Sequence, residues 1–113
     1  MTLVDLEGTR APRAQMVGNQ MSQSNLQAAN LRDADLSGAT IDESLLGRAE
    51  LRGAKLVGAS LQRSDLFDAD LRETDLTDAD FSGSRLTSAV LADAKTSGTK
   101  FTNAAMPDGT SGE

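Results

Sequence analysis

The sequence predicts an all-β solenoid, in which the chain coils around a single apolar core. A large apolar residue recurs at every fifth position, and a glycine often stands two residues after it. A step of five advances about 140° around an α-helix and alternates between the two faces of a β-strand. Neither regular element would gather these residues on one side, so the repeat itself must be the structural unit.

The repeat is clearest in residues 64–83, SDLFDADLRETDLTDADFSG. Its period does not shift from residue 6 to residue 106, and only Ala11 and Thr96 interrupt the large apolar residues. A small residue usually stands two positions before each apolar residue, with Asp or Asn often between them. Each pentad therefore reads as a small inward residue, an outward polar residue, a large inward residue and two outward corner residues.

The two consecutive outward residues predict that the chain turns a corner in every pentad. Glycine, which adopts positive φ without strain, occupies the second corner position at Gly18, Gly38, Gly53, Gly58, Gly83 and Gly98. Residues 20 apart are also alike: the inward serines are Ser24, Ser44, Ser64 and Ser84. These columns predict four sides per coil.

The pentads ANLRD (29–33), ADLSG (34–38), ADLRE (69–73) and ADFSG (79–83) match the motif A(D/N)LXX. The chain thus resembles the pentapeptide-repeat proteins over nearly its whole length. That resemblance implies a right-handed quadrilateral parallel β-helix of about five coils of four pentapeptides. We predict this β-helix over residues 1–108 and a short polar tail over residues 109–113.

Composition argues against catalysis and metal binding. The chain has no Cys, His, Trp or Tyr, which excludes disulfides, Cys/His zinc sites and mechanisms that use a Cys nucleophile or a His base. A filled rod offers no cleft, so we predict no enzyme, no catalytic residue, no metal and no cofactor. The N-terminus lacks an apolar signal region and no apolar run could span a membrane; we expect a cytoplasmic protein with no membrane partner.

The net charge of −6 lies in one coil, because residues 64–83 carry seven acids and one base. One interpretation is a binding surface that imitates nucleic acid or recruits a basic partner; the resemblance adds that some family members are DNA mimics that bind gyrase. The other is that Asp is simply the preferred residue before the core Leu, paired with cations of adjacent coils, such as Asp65 with Arg85 and Asp68 with Arg48. The spacing of 20 residues places such cations beside acids on adjacent coils, which favours the second interpretation. The acids are Asp65, Asp68, Asp70, Glu73, Asp75, Asp78 and Asp80.

Two further surfaces are candidate partner-binding sites. Arg32, Arg52 and Arg72 share a column that could grip anions, although Glu50 and Asp70 nearby favour a solvated salt-bridge ladder. Without interleaved aromatic residues, direct nucleic-acid binding is not expected. The second surface is apolar: Leu45 and Phe67 point outward on adjacent coils, and Val90 does so on the next side.

The ends of the array depart from the motif. In TRAPR (9–13), Ala11 underfills the core and Pro12 cannot donate a ladder hydrogen bond, so we expect the first coil to be the least ordered. We expect the tail to form a turn or a frayed end. Exposed ends could stack into a homodimer, or the tail could fold over one end.

The sequence therefore predicts a non-enzymatic protein-interaction or scaffold module whose partner is another protein. The alternative is a DNA-mimic modulator of DNA gyrase or a related type II topoisomerase.

Overall fold

A computed structural model describes residues 4–112 as a continuous array of short sides and corners. Within these residues the β-structure consists of isolated bridges, one in each pentad, rather than extended strands. Every parallel bridge joins residues 20 apart, from Asp5–Asn25 to Arg85–Ala105. An offset of four pentads agrees with the predicted four sides per coil.

We number the sides by their bridging residues. The first side carries Asp5, Asn25, Leu45, Asp65, Arg85 and Ala105; the second carries Arg10, Asn30, Glu50, Asp70 and Val90. The third carries Gln15, Asp35, Lys55, Asp75 and Lys95; the fourth carries Gln20, Thr40, Ser60, Asp80 and Lys100. The predicted columns are thus confirmed as lines of neighbouring residues.

Each corner is a tight turn, and all but the corners that follow Met21 and Ile41 are closed by a backbone hydrogen bond. The N–H of Ala29, for example, donates to the carbonyl of Leu26 at 3.1 Å. The second corner residue has positive φ in every pentad from Gly8 to Asn103, and the first corner residue does not. One positive φ in the second central position defines a type II turn, which explains the glycines that the sequence places there.

The inward residues form one unbroken core. Every large inward residue from Met21 to Leu86 is buried, together with the small inward alanines between them. The rings of Phe81 and Phe101 stack with centroids 5.7 Å apart, as their shared column predicts. Leu6, Ala11 and Met16 at one end and Leu91, Phe101 and Met106 at the other are only partly buried, because the end coils have a neighbour on one side only.

The buried serine column replaces a missing turn bond. Ser64 Oγ donates to the carbonyl of Ile41 at 2.7 Å and accepts the N–H of Ser44 at 3.1 Å. In the same way Ser44 Oγ donates to the carbonyl of Met21 and accepts the N–H of Ser24. The hydroxyl of one coil therefore satisfies two buried backbone groups of the coil before it.

The argument that Pro12 weakens the first coil is wrong in its physical reason. The second corner residue carries the inter-coil bond: Arg13 N–H donates to the Arg32 carbonyl at 2.7 Å. No first corner residue in residues 4–108 donates its N–H to a backbone carbonyl of another coil; the Gln62 N–H reaches the preceding coil through the Asp42 carboxylate. Proline at this position loses no ladder bond, and its fixed φ suits the first central position of the turn.

Residues 109–112 of the C-terminal tail fold back over the last coil instead of fraying. Ala105 and Ser111 form an antiparallel bridge, and Gly112 N–H donates to the carbonyl of Ala104 at 2.7 Å. Asn103 N–H donates to the carbonyl of Gly112 at 3.1 Å. Of the two alternatives for the ends, the folded tail applies at this end; end-to-end dimerisation stays a prediction.

Candidate functional site

Four acids of the charged coil satisfy the corners of their own pentads. The carboxylates of Asp65, Asp70, Asp75 and Asp80 each accept the backbone N–H two residues later, at 2.9–3.1 Å. Asn25 and Asn30 accept the same bond through their amide oxygens, at 3.1 Å and 3.2 Å. The preference for Asp or Asn at this position therefore follows from the corner, whose first N–H has no backbone partner.

These bonds also stabilise the charged form of the carboxylates. The Arg72 side chain, which donates to Asp70, holds the pKa of that carboxyl below its ordinary value. Hydrogen bonds from Thr77 do the same for the pKa of Asp75. Burial pushes the pKa of Asp80 upward, but hydrogen bonds from Ser82 and Gln62 and the charge of Lys100 together outweigh it, so the pKa is lowered overall.

The other three acids occupy second corner positions on three different corners. Asp68, Glu73 and Asp78 have φ of 63°, 60° and 60°. Glu73 pairs with Arg52 across adjacent coils, at 3.2 Å, whereas Asp68 forms no ion pair with Arg48 within the described residues. The seven acids thus surround the rod instead of forming one stripe along it.

The arginine column forms two different salt bridges. Arg72 binds both carboxylate oxygens of Asp70, at 2.9 Å and 2.7 Å. Arg52 pairs with Glu73 and not with Glu50 of its own pentad. Arg32 has no ion pair among residues 4–112. Two of the three guanidinium groups are therefore engaged within the protein, which leaves little free charge for an external anion.

The structure brings Leu45 and Phe67 together at the edge of a shallow hollow of about 200 Å³. The hollow lies at the corner that follows the first side. We call it the corner notch; it is lined by Gln27, Leu45, Gly47, Arg48, Asp65, Phe67 and Arg85. Leu45 is 45% exposed, and it stands between two polar bridging neighbours, Asn25 and Asp65. Val90 is equally exposed but lies on the second side, outside the notch.

One wall of the notch is held in place by a chain of contacts. The guanidinium of Arg85 lies 4.5 Å from the centre of the Phe67 ring, a cation–π distance. Arg85 also pairs with Asp65 at 3.4 Å, as predicted from the column, and Asp65 accepts the N–H of Phe67 at 3.0 Å. The Asp65 carboxylate therefore contacts both the Arg85 guanidinium and the Phe67 backbone, and Arg85 in turn lies against the Phe67 ring.

Gly47 contributes to the notch because it has no side chain to fill the corner. It is the only glycine in a first corner position between residues 7 and 107. Its φ lies outside the left-handed region, and an added Cβ would meet only the Phe67 carbonyl oxygen, at an ordinary 3.7 Å. Neither backbone conformation nor packing requires glycine here. The missing side chain leaves open space between Gln27 and Phe67, the residues at the same corner of the adjacent coils.

Sequence reasoning identified Leu45, Phe67 and Asp65 but not the rest of the notch. Gly47, Gln27 and the cations Arg48 and Arg85 were not assigned to an apolar site. The sequence signal for the notch is the position of Gly47, which stands in the first corner position, where the turn does not require glycine. Asp70, Asp75 and Asp80, in contrast, lie on other sides of the rod.

A second hollow, of about 370 Å³, lies at the N-terminal end of the core. It is lined by Val4, Met16, Gly18, Asn19, Gln20 and Met21. Its lining includes the partly buried Met16, so it marks where the stacked core ends within the described residues. No group of three or more Asp and Glu in residues 4–112 is arranged to hold a metal ion. Those same residues include no helix that is long and apolar enough to cross a bilayer.

Comparisons with known proteins agree with this architecture. The family model for pentapeptide repeats matches eight copies, over residues 1–38 and 44–83. No curated protein sequence matches the chain. Among solved structures, the pentapeptide-repeat protein Rfr23 from the cyanobacterium Cyanothece 51142 is 25% identical with a TM-score of 0.60, over 87% of this chain and 84% of Rfr23.

Two other solved structures are longer than this chain. HetL, a pentapeptide-repeat protein involved in heterocyst differentiation regulation in Nostoc sp. strain PCC 7120, is 28% identical with a TM-score of 0.53. The match covers 97% of this chain but 48% of HetL, so the chain spans about half of HetL. QnrB1, a plasmid-mediated fluoroquinolone resistance protein, is 19% identical with a TM-score of 0.43, over 87% of this chain and 58% of QnrB1, which is too distant for a functional argument.

Proposed function

Because the chain belongs to the pentapeptide-repeat family, we propose that it is a non-catalytic protein-interaction module whose binding surface is the corner notch. Pentapeptide-repeat proteins are generally structural or interaction modules. For this chain we further propose the finer architecture, a right-handed four-sided β-helix of about five coils. The 20-residue offset of the bridges supports four sides per coil, and residues 4–108 then make about five coils.

The observation that carries the proposal is the notch, a hollow that sets Leu45 and the Phe67 ring side by side on an otherwise polar surface. Leu45 interrupts a column of polar residues, and Phe67 is held by Arg85 and Asp65. Rigid aromatic side chains beside a pocket are typical of the residues that dominate binding energy in protein interfaces. Gly47 keeps the hollow open although the fold does not require glycine there.

The test compares proteins captured from a lysate of the source organism by wild type, Gly47→Val and Ser97→Val. Val17 and Val57 already occupy first corner positions, so both variants should keep the fold, which thermal unfolding would verify. We expect partners that bind wild type and Ser97→Val but are depleted by Gly47→Val. If every captured protein binds all three forms equally, the notch is not the interaction surface.

Modulation of gyrase is the second candidate, supported by the concentration of negative charge in residues 64–83. The measurement is gyrase supercoiling with increasing amounts of protein, against the charge-reversed variant Asp70→Lys/Asp75→Lys/Asp80→Lys. Inhibition by wild type that the folded variant loses would make the acidic coil the site. Unchanged supercoiling at high micromolar protein would reject this candidate. Because these carboxylates already accept corner hydrogen bonds, we favour the notch.

A further inference from the structure

Building on the proposed function, we propose that the corner notch binds an acidic, apolar segment of a partner protein, with one apolar side chain beside Gly47 and a carboxylate against Arg48. The partner class follows from the size of the hollow, its apolar walls and the charges on its rim.

The size of the notch favours a single side chain over a metabolite. Its volume of about 200 Å³ is below the roughly 300–1,000 Å³ of pockets that bury small molecules. Leu45 and Phe67 supply the apolar surface, and Gly47 supplies the depth. A Leu or Phe side chain of a partner that packs here loses part of its contact with water.

The charges on the rim of the notch indicate which kind of partner residue should stand next to the inserted apolar side chain. Two cations, Arg48 and Arg85, line the notch against one acid, Asp65. Arg85 is already paired with Asp65, at 3.4 Å. Arg48 has no ion pair within the described residues, although Asp68 follows Phe67 on the next coil. A guanidinium group presents a fork of donors that matches a carboxylate, so Arg48 is the group that an acidic partner would meet.

The residues that line the notch thus include one more cation than acid, although the protein as a whole carries −6. The overall field should attract basic partners to other faces of the rod. At the notch, however, a lysine beside the apolar anchor would face Arg48 and be repelled. The same apolar contact should therefore discriminate between acidic and basic partners.

The probe is a nine-residue Gly/Ser peptide with a central Leu followed by two Glu residues. Matched peptides carry two Lys in place of the Glu pair, or Ser in place of Leu. Each would be titrated into ¹⁵N-labelled protein while amide shifts are followed by NMR. We expect saturable shifts at Gly47, Arg48 and Phe67 with the Leu/Glu peptide. The Leu/Lys peptide should bind about two- to fivefold more weakly, as for one exposed ion pair, and the Ser peptide should not shift these amides.

Variants separate the two contacts. Gly47→Val should abolish the shifts of both Leu peptides, and the control Ser97→Val should leave them unchanged. Arg48→Gln should retain binding of the Leu peptides but remove the difference between Glu and Lys. Equal binding of the Leu/Glu and Leu/Lys peptides to wild type, or no shift with any peptide, would overturn the inference.

The outcome is distinguishable from failure of the proposed function. If Gly47→Val depletes captured partners but the peptides show no preference for Glu, the interaction role stands and the acidic partner class is wrong. If no captured partner depends on the notch, the proposed function itself fails, whatever the peptides do.

Discussion

The Asp80 carboxylate accepts the backbone N–H of Ser82 at 2.9 Å and the Ser82 hydroxyl at 2.6 Å through the same oxygen. This pair shows why the repeat favours Asp or Asn before the core residue: the first corner N–H donates to no backbone carbonyl and donates to a side-chain oxygen instead. The acidity of the charged coil is, to this extent, a consequence of building corners.

Replacing Asp80 by Ala should destabilise the protein more than replacing it by Asn. Ala removes the acceptor of the Ser82 N–H, and one hydrogen bond contributes about 1 kcal/mol. The Asn amide oxygen can accept the same bond, as Asn25 does from Gln27, so Asp80→Asn should lose about half as much or less. Urea unfolding of the three proteins measures this, and equal losses would show that charge rather than the corner bond matters.

Stability should fall in acid, as the pH drops below about 5. The pKa values of Asp35, Asp70, Asp75 and Asp80 are lowered in the folded protein. A lowered folded-state pKa contributes stability that is present above the unfolded value and is lost as pH falls through the folded value. Melting temperatures should therefore be nearly flat from pH 7 to about pH 5 and then decline.

A double variant, Asp75→Asn/Asp80→Asn, checks the origin of that decline. It keeps both corner acceptors but has two fewer groups to protonate, so its melting temperature should fall less steeply with acid than that of wild type. The same slope in both proteins would assign acid sensitivity to other groups.

Ser64→Ala should be costlier than Ser84→Ala, although both serines are buried in one column. Removing the Ser64 hydroxyl takes a partner from the N–H of Ser44 and from the carbonyl of Ile41. Leaving buried backbone groups unsatisfied costs about 1–3 kcal/mol. The Ser84 hydroxyl donates to the Phe81 carbonyl, which also accepts the Ser84 N–H at 3.0 Å, so its loss should cost less than about 1 kcal/mol.

Chemical unfolding at matched protein concentration would compare the two alanine variants. Identical losses of unfolding free energy would contradict the role of the serine column in replacing turn bonds.

Gly53→Ala should destabilise more than Gly58→Ala, because only Gly53 has a side chain stacked against it. Both glycines have positive φ, 74° and 68°, so both substitutions share a backbone penalty of about 1–2 kcal/mol. A Cβ on Gly53 would also displace the exposed Asp33 side chain of the preceding coil, through its Oδ1, at an extra cost that should stay below about 1 kcal/mol, whereas a Cβ on Gly58 meets no atom within 4 Å.

A double-mutant cycle isolates the contact. In an Asp33→Ala background, Gly53→Ala should cost no more than Gly58→Ala does in wild type. If the excess persists without the Asp33 carboxylate, the collision is not its cause.

Leu56→Asp should abolish folding, because Leu56 is fully buried in the middle of the core and a buried unpaired charge is prohibitive. Leu56→Met keeps nearly the same volume and should cost less than about 1.5 kcal/mol. Circular dichroism during thermal unfolding distinguishes them. A cooperative melt of Leu56→Asp near that of wild type would disprove the inward register.

Much of the fold could be predicted because the same pattern of buried and exposed positions recurs in every pentad. The period of five, the corner glycines and the serine column were sufficient to place residues 20 apart as neighbours, including Phe81 beside Phe101 and Asp65 beside Arg85. The error over Pro12 arose because the pattern says that a corner exists but not which of its N–H groups bonds to the next coil.

The sequence by itself thus determined the coil, its four sides with columns of residues spaced 20 apart, and the set of inward residues, since hydrophobic burial repeats regularly along the chain. Only the tertiary structure decided how outward side chains combine: that Arg52 pairs with Glu73, that the tail pairs with Ala105, and that Leu45, Gly47 and Phe67 frame one notch. The physical reason is that an outward side chain has several candidate partners on neighbouring coils. Distance and rotamer decide which of them it contacts, and the period of the sequence does not encode either.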